Sequence, residues 1–230
     1  MNFSKFEKKI EADFNDKNLL TQAFTHRSYV NENPSVAKEH NERLEFLGDA
    51  VLELATTEYL YKKYPEKNEG EMTSYRASLV NAIILSEIAK EIGMEDFLLL
   101  SKGEKKDTGK ARQYILANTF ESLVGALYLD QGFKACVSFL KKFLFPRLNE
   151  IIEKKLWIDA KSLFQEKAQD VVGITPIYKL IKDWGPDHAK NFVIGVYFNK
   201  ELIAEGQGNS KQEAEQNAAR EGLKAKNWID

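Results

Sequence analysis

The fold of the N-terminal half is decided by residues 40–52, which read His-Asn-Glu-Arg-Leu-Glu-Phe-Leu-Gly-Asp-Ala-Val-Leu. Glu42, Glu45 and Asp49 stand at positions i, i+3 and i+7, so on a helix all three carboxylates project from one face. The apolar stripe on roughly the opposite side consists of Leu44, Leu47, Val51 and Leu54. This period of three and four residues predicts an amphipathic helix with an acidic face.

That acidic face is flanked by Phe46 and Leu52, so we expect it to be only partly solvated. Three carboxylates on such a face repel one another unless a positive group neutralises them, and a hard divalent cation with oxygen ligands is the usual solution. The alternative interpretation is an ordinary solvated acidic face, which is the commoner origin of such spacing.

A second segment, residues 115–127, repeats this geometry. Asn118 and Glu121 are three residues apart and point away from an apolar stripe, and Gly125 lies one turn further on, where it would let a neighbouring helix approach closely. Packing the two polar faces together predicts a Mg²⁺ site made by Glu45, Glu121 and the Asn118 carbonyl oxygen, with Asp49 beside it.

Helical periodicity continues through most of residues 1–150, which predicts an all-α domain. One interruption, residues 103–112, has no periodicity and is expected to form an exposed basic loop. The charged stretch within residues 151–158 is interpreted as a linker.

Residues 159–228 have a different pattern. A helix is predicted from about residue 160 to 172, three strands at 176–182, 190–198 and 201–206, and a last helix that Ser210 caps. The fold class predicted for the whole chain is therefore an all-α domain followed by a small α+β domain of order α-β-β-β-α.

Bulk properties exclude several classes of protein. The chain has 43% hydrophobic and 30% charged residues, as ordinary globular proteins do. No apolar run approaches the roughly 18 residues that a membrane span needs. The single cysteine, Cys136, cannot form an internal disulfide, and with no apolar leader at the N-terminus we expect a cytoplasmic protein. The net charge of −2 means that any binding of nucleic acid must come from local placement of charge.

The string Asn41-Glu-Arg-Leu-Glu-Phe-Leu-Gly-Asp49 matches the motif that names the ribonuclease III family, and the chain resembles this family over essentially its whole length. Further similar segments, in the family's order and spacing, are residues 23–32, 68–73, 76–80 and 115–121. Residues 159–226 resemble the family's double-stranded-RNA-binding domain. The resemblance implies a homodimeric endonuclease that uses Mg²⁺, with Mn²⁺ as a substitute, and cuts double-stranded RNA to 5′-phosphate and 3′-hydroxyl ends.

The resemblance also assigns roles to individual residues. Glu45, Asn118 and Glu121 match metal-ligand positions, and Asp49 and Glu121 match active-site carboxylates, so that Asp49 is expected beside the ion. Glu42 and Glu69 match further acidic positions that support catalysis and RNA contacts. Whether one or two metal ions act per cut stays open.

In the C-terminal domain the resemblance singles out three RNA-contact regions. Gln165 and Glu166 on the first helix and His188 in the loop after the first strand are expected at successive minor grooves, and Lys211 at the start of the last helix is expected at phosphates. Related domains commonly have two consecutive basic residues at that helix start, whereas this chain has Lys211 followed by Gln212. One fewer phosphate contact predicts weaker binding and a shallower salt dependence.

One departure from the family pattern concerns the metal site, where Asn118 occupies a position that is usually Asp. An amide oxygen still binds a cation, but the group is neutral and cannot accept a proton. Because the amide oxygen can still bind a cation, the chain is interpreted as an active nuclease that processes ribosomal, messenger and transfer RNA precursors. The alternatives are a weakened or inactivated member of the family that binds double-stranded RNA, and a helical phosphohydrolase acting on nucleotides, which would have no use for an RNA-binding domain.

Overall fold

The computed structural model describes residues 2–186 and 190–229. The chain divides into two compact units, residues 1–157 and residues 158–230. The described residues include no helix that is long and apolar enough to cross a membrane.

The first unit is entirely helical among its described residues. Two short 3-10 segments, Met94–Phe97 and Glu104–Lys106, accompany its α-helices. The α-helices are α1 (Ser4–Ile10), α2 (Lys17–Ala23), α3 (Arg27–Glu32), α4 (Glu42–Lys63), α5 (Glu69–Leu79), α6 (Ala82–Glu91), α7 (Lys110–Gln131), α8 (Phe133–Phe143) and α9 (Arg147–Glu153).

Helix α7 is the centre of this unit, because it packs against α2, α4, α6 and α8. From Ile115 to Leu127 it is buried on nearly all sides, with Leu116, Phe120 and Val124 fully enclosed. A helix that is buried on nearly all sides forms the centre of the core, whereas an amphipathic helix packs on its surface. Asn118 and Glu121 are polar and partly exposed within this apolar stretch. They mark the face of α7 that is not used for packing in the core.

The stretch 103–112 is only partly the exposed basic loop that the sequence predicts. Lys105, Lys106 and Lys110 are exposed, but Arg112 is buried and belongs to α7. Its guanidinium donates hydrogen bonds to the backbone carbonyls of Glu104, Lys105 and Asp107 at 3.0–3.1 Å. These bonds tie the loop to the start of α7, and the Glu104 carbonyl also accepts from the Asp107 amide at 3.2 Å.

The first unit continues beyond residue 150, where the sequence places the start of a linker. Ile151 is buried in the core, and the Trp157 ring packs edge-on against Tyr75 with centroids 5.0 Å apart. The charged residues Glu153, Lys154 and Lys155 between them are exposed, and a charged stretch of this kind is typical of a linker.

The second unit has the order α10 (Ala160–Val172), β1 (Ile177–Trp184), β2 (Asn191–Phe198), β3 (Glu201–Gly208) and α11 (Lys211–Ala225), which confirms the predicted fold class. The strands form one antiparallel sheet in the order β1-β2-β3. Phe164 of α10 stacks on Phe198 of β2, and Ala218 of α11 lies against Gly206 of β3. Ser210 caps α11 by accepting a hydrogen bond from the Glu213 amide, as predicted.

Candidate active site

Helices α4 and α7 cross with their backbones in contact at Gly48 and Gly125. A Cβ atom added to Gly48 would lie 1.8 Å from the carbonyl oxygen of Glu121, and one added to Gly125 would lie 2.2 Å from the carbonyl oxygen of Leu44. No other residue fits at either position without moving a helix. The prediction for Gly125 is thus confirmed, whereas Gly48 was missed, although a glycine within an apolar helix is itself a signal of close packing.

This crossing brings four polar side chains together, Glu45 and Asp49 from α4 and Asn118 and Glu121 from α7. The Asn118 side chain hydrogen-bonds the Glu45 carboxylate. Burial raises the pKa of Glu121 to about 7, and the charges of Asp49 and Glu45 add to the rise. Burial also raises the pKa of Glu45, with Glu42 and Asp49 adding to it and the Asn118 hydrogen bond opposing it.

The apolar neighbours of this group differ from expectation. Leu52 is fully buried, but the Phe46 side chain is 83% exposed and Leu54 is 59% exposed. The predicted stripe is therefore wrong at Leu54. Leu54 is exposed because α4 packs against α5, α7 and α8, so that the buried face of α4 is shifted toward Gly48, Leu52 and Ala55.

Glu42 lies at the outer edge of the group, on the first turn of α4. It is exposed and forms an ion pair with Arg27 at 3.5 Å. His26 and His40 form hydrogen bonds near helix ends: His26 Nδ1 lies 2.8 Å from the Ser28 hydroxyl, and His40 Nδ1 accepts from the Glu42 amide at 3.4 Å.

A cavity of about 580 Å³ opens beside Glu42, Glu45 and Asn118. Its other walls carry polar groups that the sequence did not single out as site residues, including Asn31, Glu104 and Tyr114. The signal that could have found Tyr114 is its position on α7, one helical turn before Asn118. The cavity gives a ligand access to one end of the carboxylate group.

The donors at the crossing suit a hard divalent cation, because all of them are oxygens and two are desolvated carboxylates. Within residues 2–186 and 190–229, however, no three His, Cys, Asp or Glu side chains are gathered closely enough to hold a metal ion as they stand. The chemistry of the donor set fits Mg²⁺, with the amide of Asn118 as part of it.

Glu69 lies apart from this group within the chain. It is the first residue of α5, is exposed, and accepts a hydrogen bond from the Thr73 hydroxyl at 3.3 Å. It lines a separate, smaller cavity together with Tyr61 and Arg76.

The predicted RNA-contact residues of the second unit are accessible where they are described. Gln165 and Glu166 are exposed on α10, and Lys211 is exposed as the first residue of α11. His188 lies outside the described residues.

Comparison with family models gives one match to each unit. Residues 16–148 match the model described as Ribonuclease-III-like, and residues 160–226 match the Double-stranded RNA binding motif.

Among curated relatives, the protein named Ribonuclease 3 of Bacillus licheniformis is 46% identical over 222 residues, which cover 96% of this chain and 88% of the relative. Ribonuclease 3 of Bacillus cereus is 45% identical, with coverages of 96% and 90%. Among solved structures, the nuclease domain of ribonuclease III from Campylobacter jejuni is 38% identical, with a TM-score of 0.57, and the match covers 63% of this chain and 99% of that domain. The Campylobacter jejuni domain is described as structurally flexible in a region involved in dimer formation.

Proposed function

The chain belongs to the ribonuclease III family and is an endoribonuclease of that type with a double-stranded-RNA-binding domain, and we propose that it cleaves double-stranded RNA in a Mg²⁺-dependent reaction that leaves 5′-phosphate and 3′-hydroxyl ends. The observation that carries this proposal is the glycine crossing of α4 and α7, which brings Glu45, Asp49, Asn118 and Glu121 within electrostatic reach of one another.

In the proposed mechanism Glu45, Asn118 and Glu121 would hold the metal ion, with Asp49 as a neighbouring carboxylate. When bound, Mg²⁺ supplies a Lewis acid that activates water and offsets negative charge at the scissile phosphate, and Mn²⁺ can take its place. Glu45 and Glu121 contribute carboxylates that burial has left poorly solvated, so a cation gains more from them than from carboxylates in water. The Asn118 amide opposes the rise in the pKa of Glu45, and Glu42 at the edge of the group pairs with Arg27.

Mg²⁺ binding is expected to weaken as the pH falls from 8 to 6. Because the pKa of Glu121 is raised to about 7, this carboxyl is largely charged at pH 8 and largely protonated at pH 6. A ligand must lose its proton before it binds the ion, so the affinity falls by up to about tenfold per pH unit below 7. Calorimetric titration of Mg²⁺ at pH 6, 7 and 8 measures this. A Glu121→Gln variant should bind weakly at all three values, and a flat profile for the unmodified chain would contradict the assignment.

The substrate is proposed to be duplex RNA. Gln165 and Glu166 are accessible for the 2′-hydroxyls of a minor groove, and Lys211 together with the amide end of α11 is accessible for phosphates. His188 is proposed as a further minor-groove contact, and Glu69 as an acidic contact on the nuclease unit. Precursors of ribosomal, messenger and transfer RNA have such structure, and we place the protein in the cytoplasm, where these precursors are found.

A homodimer is proposed because of the apolar surface beside the site. The Phe46 ring is 83% exposed and Leu129 is 54% exposed, and both line a cavity of about 610 Å³ whose other walls include Leu19, Leu44 and Leu47. An exposed aromatic at a cavity with leucine walls suits a two-fold contact, in which each copy inserts its ring into the other.

Exchange of Phe46 for aspartate is expected to convert the dimer to a monomer. The ring contacts little within its own chain, so the fold should persist, whereas a charge in a dimer contact should raise the dissociation constant at least about 100-fold. Sedimentation equilibrium measures the change. Tyr61→Asp is the matched control, because Tyr61 is on the same helix and 71% exposed. Equal sedimentation of the Phe46→Asp variant and the unmodified chain would show that the contact lies elsewhere.

The function as a whole is tested by incubating the chain with a long RNA duplex, a single strand of the same sequence, and a DNA duplex, each with Mg²⁺ or with EDTA. Cleavage of the RNA duplex alone, only with Mg²⁺, and with 5′-phosphate ends supports the proposal. Cleavage of the single strand at the same rate, or product ends that carry 3′-phosphate, would refute it. Because Asn118 is a neutral residue in the metal site, the second candidate function is that of a family member that binds duplex RNA but cuts it weakly.

A further inference from the structure

A second pocket of the first unit lies between the C-terminal half of α4 and helix α8, and its volume is about 680 Å³. It shares no lining residue with the cavity beside Glu45 and Asn118. Its length along α4, from Ala55 to Lys63, is about 12 Å at the rise of an α-helix. Pockets of about 300–1,000 Å³ are the size that binds small molecules.

The walls of this pocket are mainly apolar and aromatic. Ala55, Tyr59, Phe133 and Val137 line it, and Phe145 supports the Tyr59 ring in a parallel stack with centroids 4.0 Å apart. The stack fixes the orientation of Tyr59, so this wall is rigid. A flat apolar body is what such a wall receives best.

The rim of the pocket is strongly positive. Four lysines line it, Lys62, Lys63, Lys134 and Lys141, against a single acid, Glu58. Lys62 pairs with Glu58. Neither Lys134 nor Lys141 has an acidic partner among the described residues, and Lys63 is held by neutral groups, donating to the Tyr59 hydroxyl at 2.9 Å and to Asn149 at 3.4 Å. The chain as a whole has 33 basic and 35 acidic residues, so this excess of three positive charges is local.

A ligand that satisfies the pocket must therefore combine several negative charges with a flat apolar part. Inorganic phosphate would leave the aromatic wall unused, and a neutral aromatic compound would leave the lysines without partners. Duplex RNA could touch the lysines, but its bases are stacked inside the helix and cannot reach the wall. We propose that the pocket between α4 and α8 binds a nucleoside polyphosphate, whose phosphates contact the lysines and whose base packs against Tyr59, Phe133 and Val137.

This chemistry has two sources, a free nucleotide and the triphosphorylated end of an RNA strand. Base contacts with aromatic side chains add to the affinity, so the base and the phosphates should both be needed for tight binding. The catalytic cavity carries Glu42, Glu45 and Glu104, and without a divalent cation it repels such a ligand. In EDTA the acidic cavity therefore does not compete for ATP, and exchanges within the lysine pocket show whether any bound ATP or RNA end lies there.

The experiment is calorimetric titration of the full chain in EDTA with ATP, adenosine, inorganic triphosphate and a short single-stranded RNA that carries a 5′-triphosphate. We expect ATP to bind at least about tenfold more tightly than either of its parts, and the RNA to match ATP if the natural source is a strand end. Paired Lys134→Glu and Lys141→Glu exchanges should weaken ATP binding at least about tenfold. The matched control, Lys5→Glu with Lys8→Glu on exposed positions of α1, should change it less than about twofold.

Three results would overturn the proposal. They are the absence of ATP binding at millimolar concentration, equal binding of inorganic triphosphate and ATP, and equal loss of binding in the two double variants. Because the readout needs neither metal nor cleavage, a failure here is separate from any failure of the proposed nuclease function.

Discussion

Exchange of Gly48 for alanine is expected to unfold the first unit or to destabilise it severely. The added Cβ would lie 1.8 Å from the carbonyl oxygen of Glu121 and 2.8 Å from the amide nitrogen of Gly125. Both neighbours are backbone atoms of α7, which is buried on nearly all sides and cannot move alone. The cost is on the order of 4 kcal/mol or more, against a total stability of about 5–15 kcal/mol for a domain.

The matched control is Gly70→Ala. Gly70 is also helical, but the atom nearest to its added Cβ is the Asn68 Oδ1 atom at 3.4 Å, which is ordinary contact. That exchange should be neutral or slightly stabilising, because alanine has the higher helix propensity. Thermal unfolding followed by circular dichroism compares the two, and hydrogen exchange at α4 and α7 shows which unit is affected. Equal stability of both variants would mean that the helices do not cross at Gly48.

The second large effect concerns catalysis. Exchange of Glu121 for glutamine removes the most buried carboxylate of the group, and it should lower the rate of duplex cleavage by on the order of 10³-fold or more. The shape of the side chain is kept, and relief of the repulsion from Asp49 and Glu45 makes the metal-free fold no less stable. The pH dependence of stability agrees with this. Burial raises the pKa of Glu121 in the folded state, so the contribution of this group to the free energy of unfolding is present at acid pH and is lost as the pH rises toward 7. Glutamine does not ionise, so the Glu121→Gln variant does not lose this stability as the pH rises.

A single-turnover cleavage assay with excess protein measures this effect apart from RNA binding. Glu87→Gln, the same exchange at an exposed position of α6, is the control and should cut at the rate of the unmodified chain. A gel shift in EDTA should show equal duplex binding for all three proteins, because the second unit is unchanged. Cleavage by Glu121→Gln at the control rate would remove Glu121 from the active site.

The parts of the fold that follow from local pattern could be predicted from the sequence. Periodicity separates the helical unit from the α-β-β-β-α unit, and the cap at Ser210 fixes the start of α11. The polar spacing of Glu45, Asp49, Asn118 and Glu121 identifies the two helices that meet, because such side chains interrupt otherwise apolar stretches.

Other features depend on three-dimensional packing and leave a weaker trace. Arg112 is basic and lies in a basic stretch, yet it is buried, with its guanidinium donating to three backbone carbonyls of the loop. Leu54 and Phe46 are apolar yet exposed, since α4 has three helical neighbours and its buried face does not follow a single stripe. The lysine pocket could not be predicted, because its four lysines are exposed residues and no polar pattern in the sequence pairs α4 with α8.

The central claim is that this chain cuts duplex RNA with an amide at position 118 of its metal site. The most direct test is single-turnover cleavage of one long RNA duplex, at increasing Mg²⁺ concentration, by the unmodified chain and by Asn118→Asp. We expect both proteins to cut at the same sites, with the aspartate variant reaching its full rate at a lower Mg²⁺ concentration because it adds a charged ligand. If only Asn118→Asp cuts while the unmodified chain binds the duplex intact at every Mg²⁺ concentration, the chain is an RNA-binding member of its family and the proposed activity is wrong.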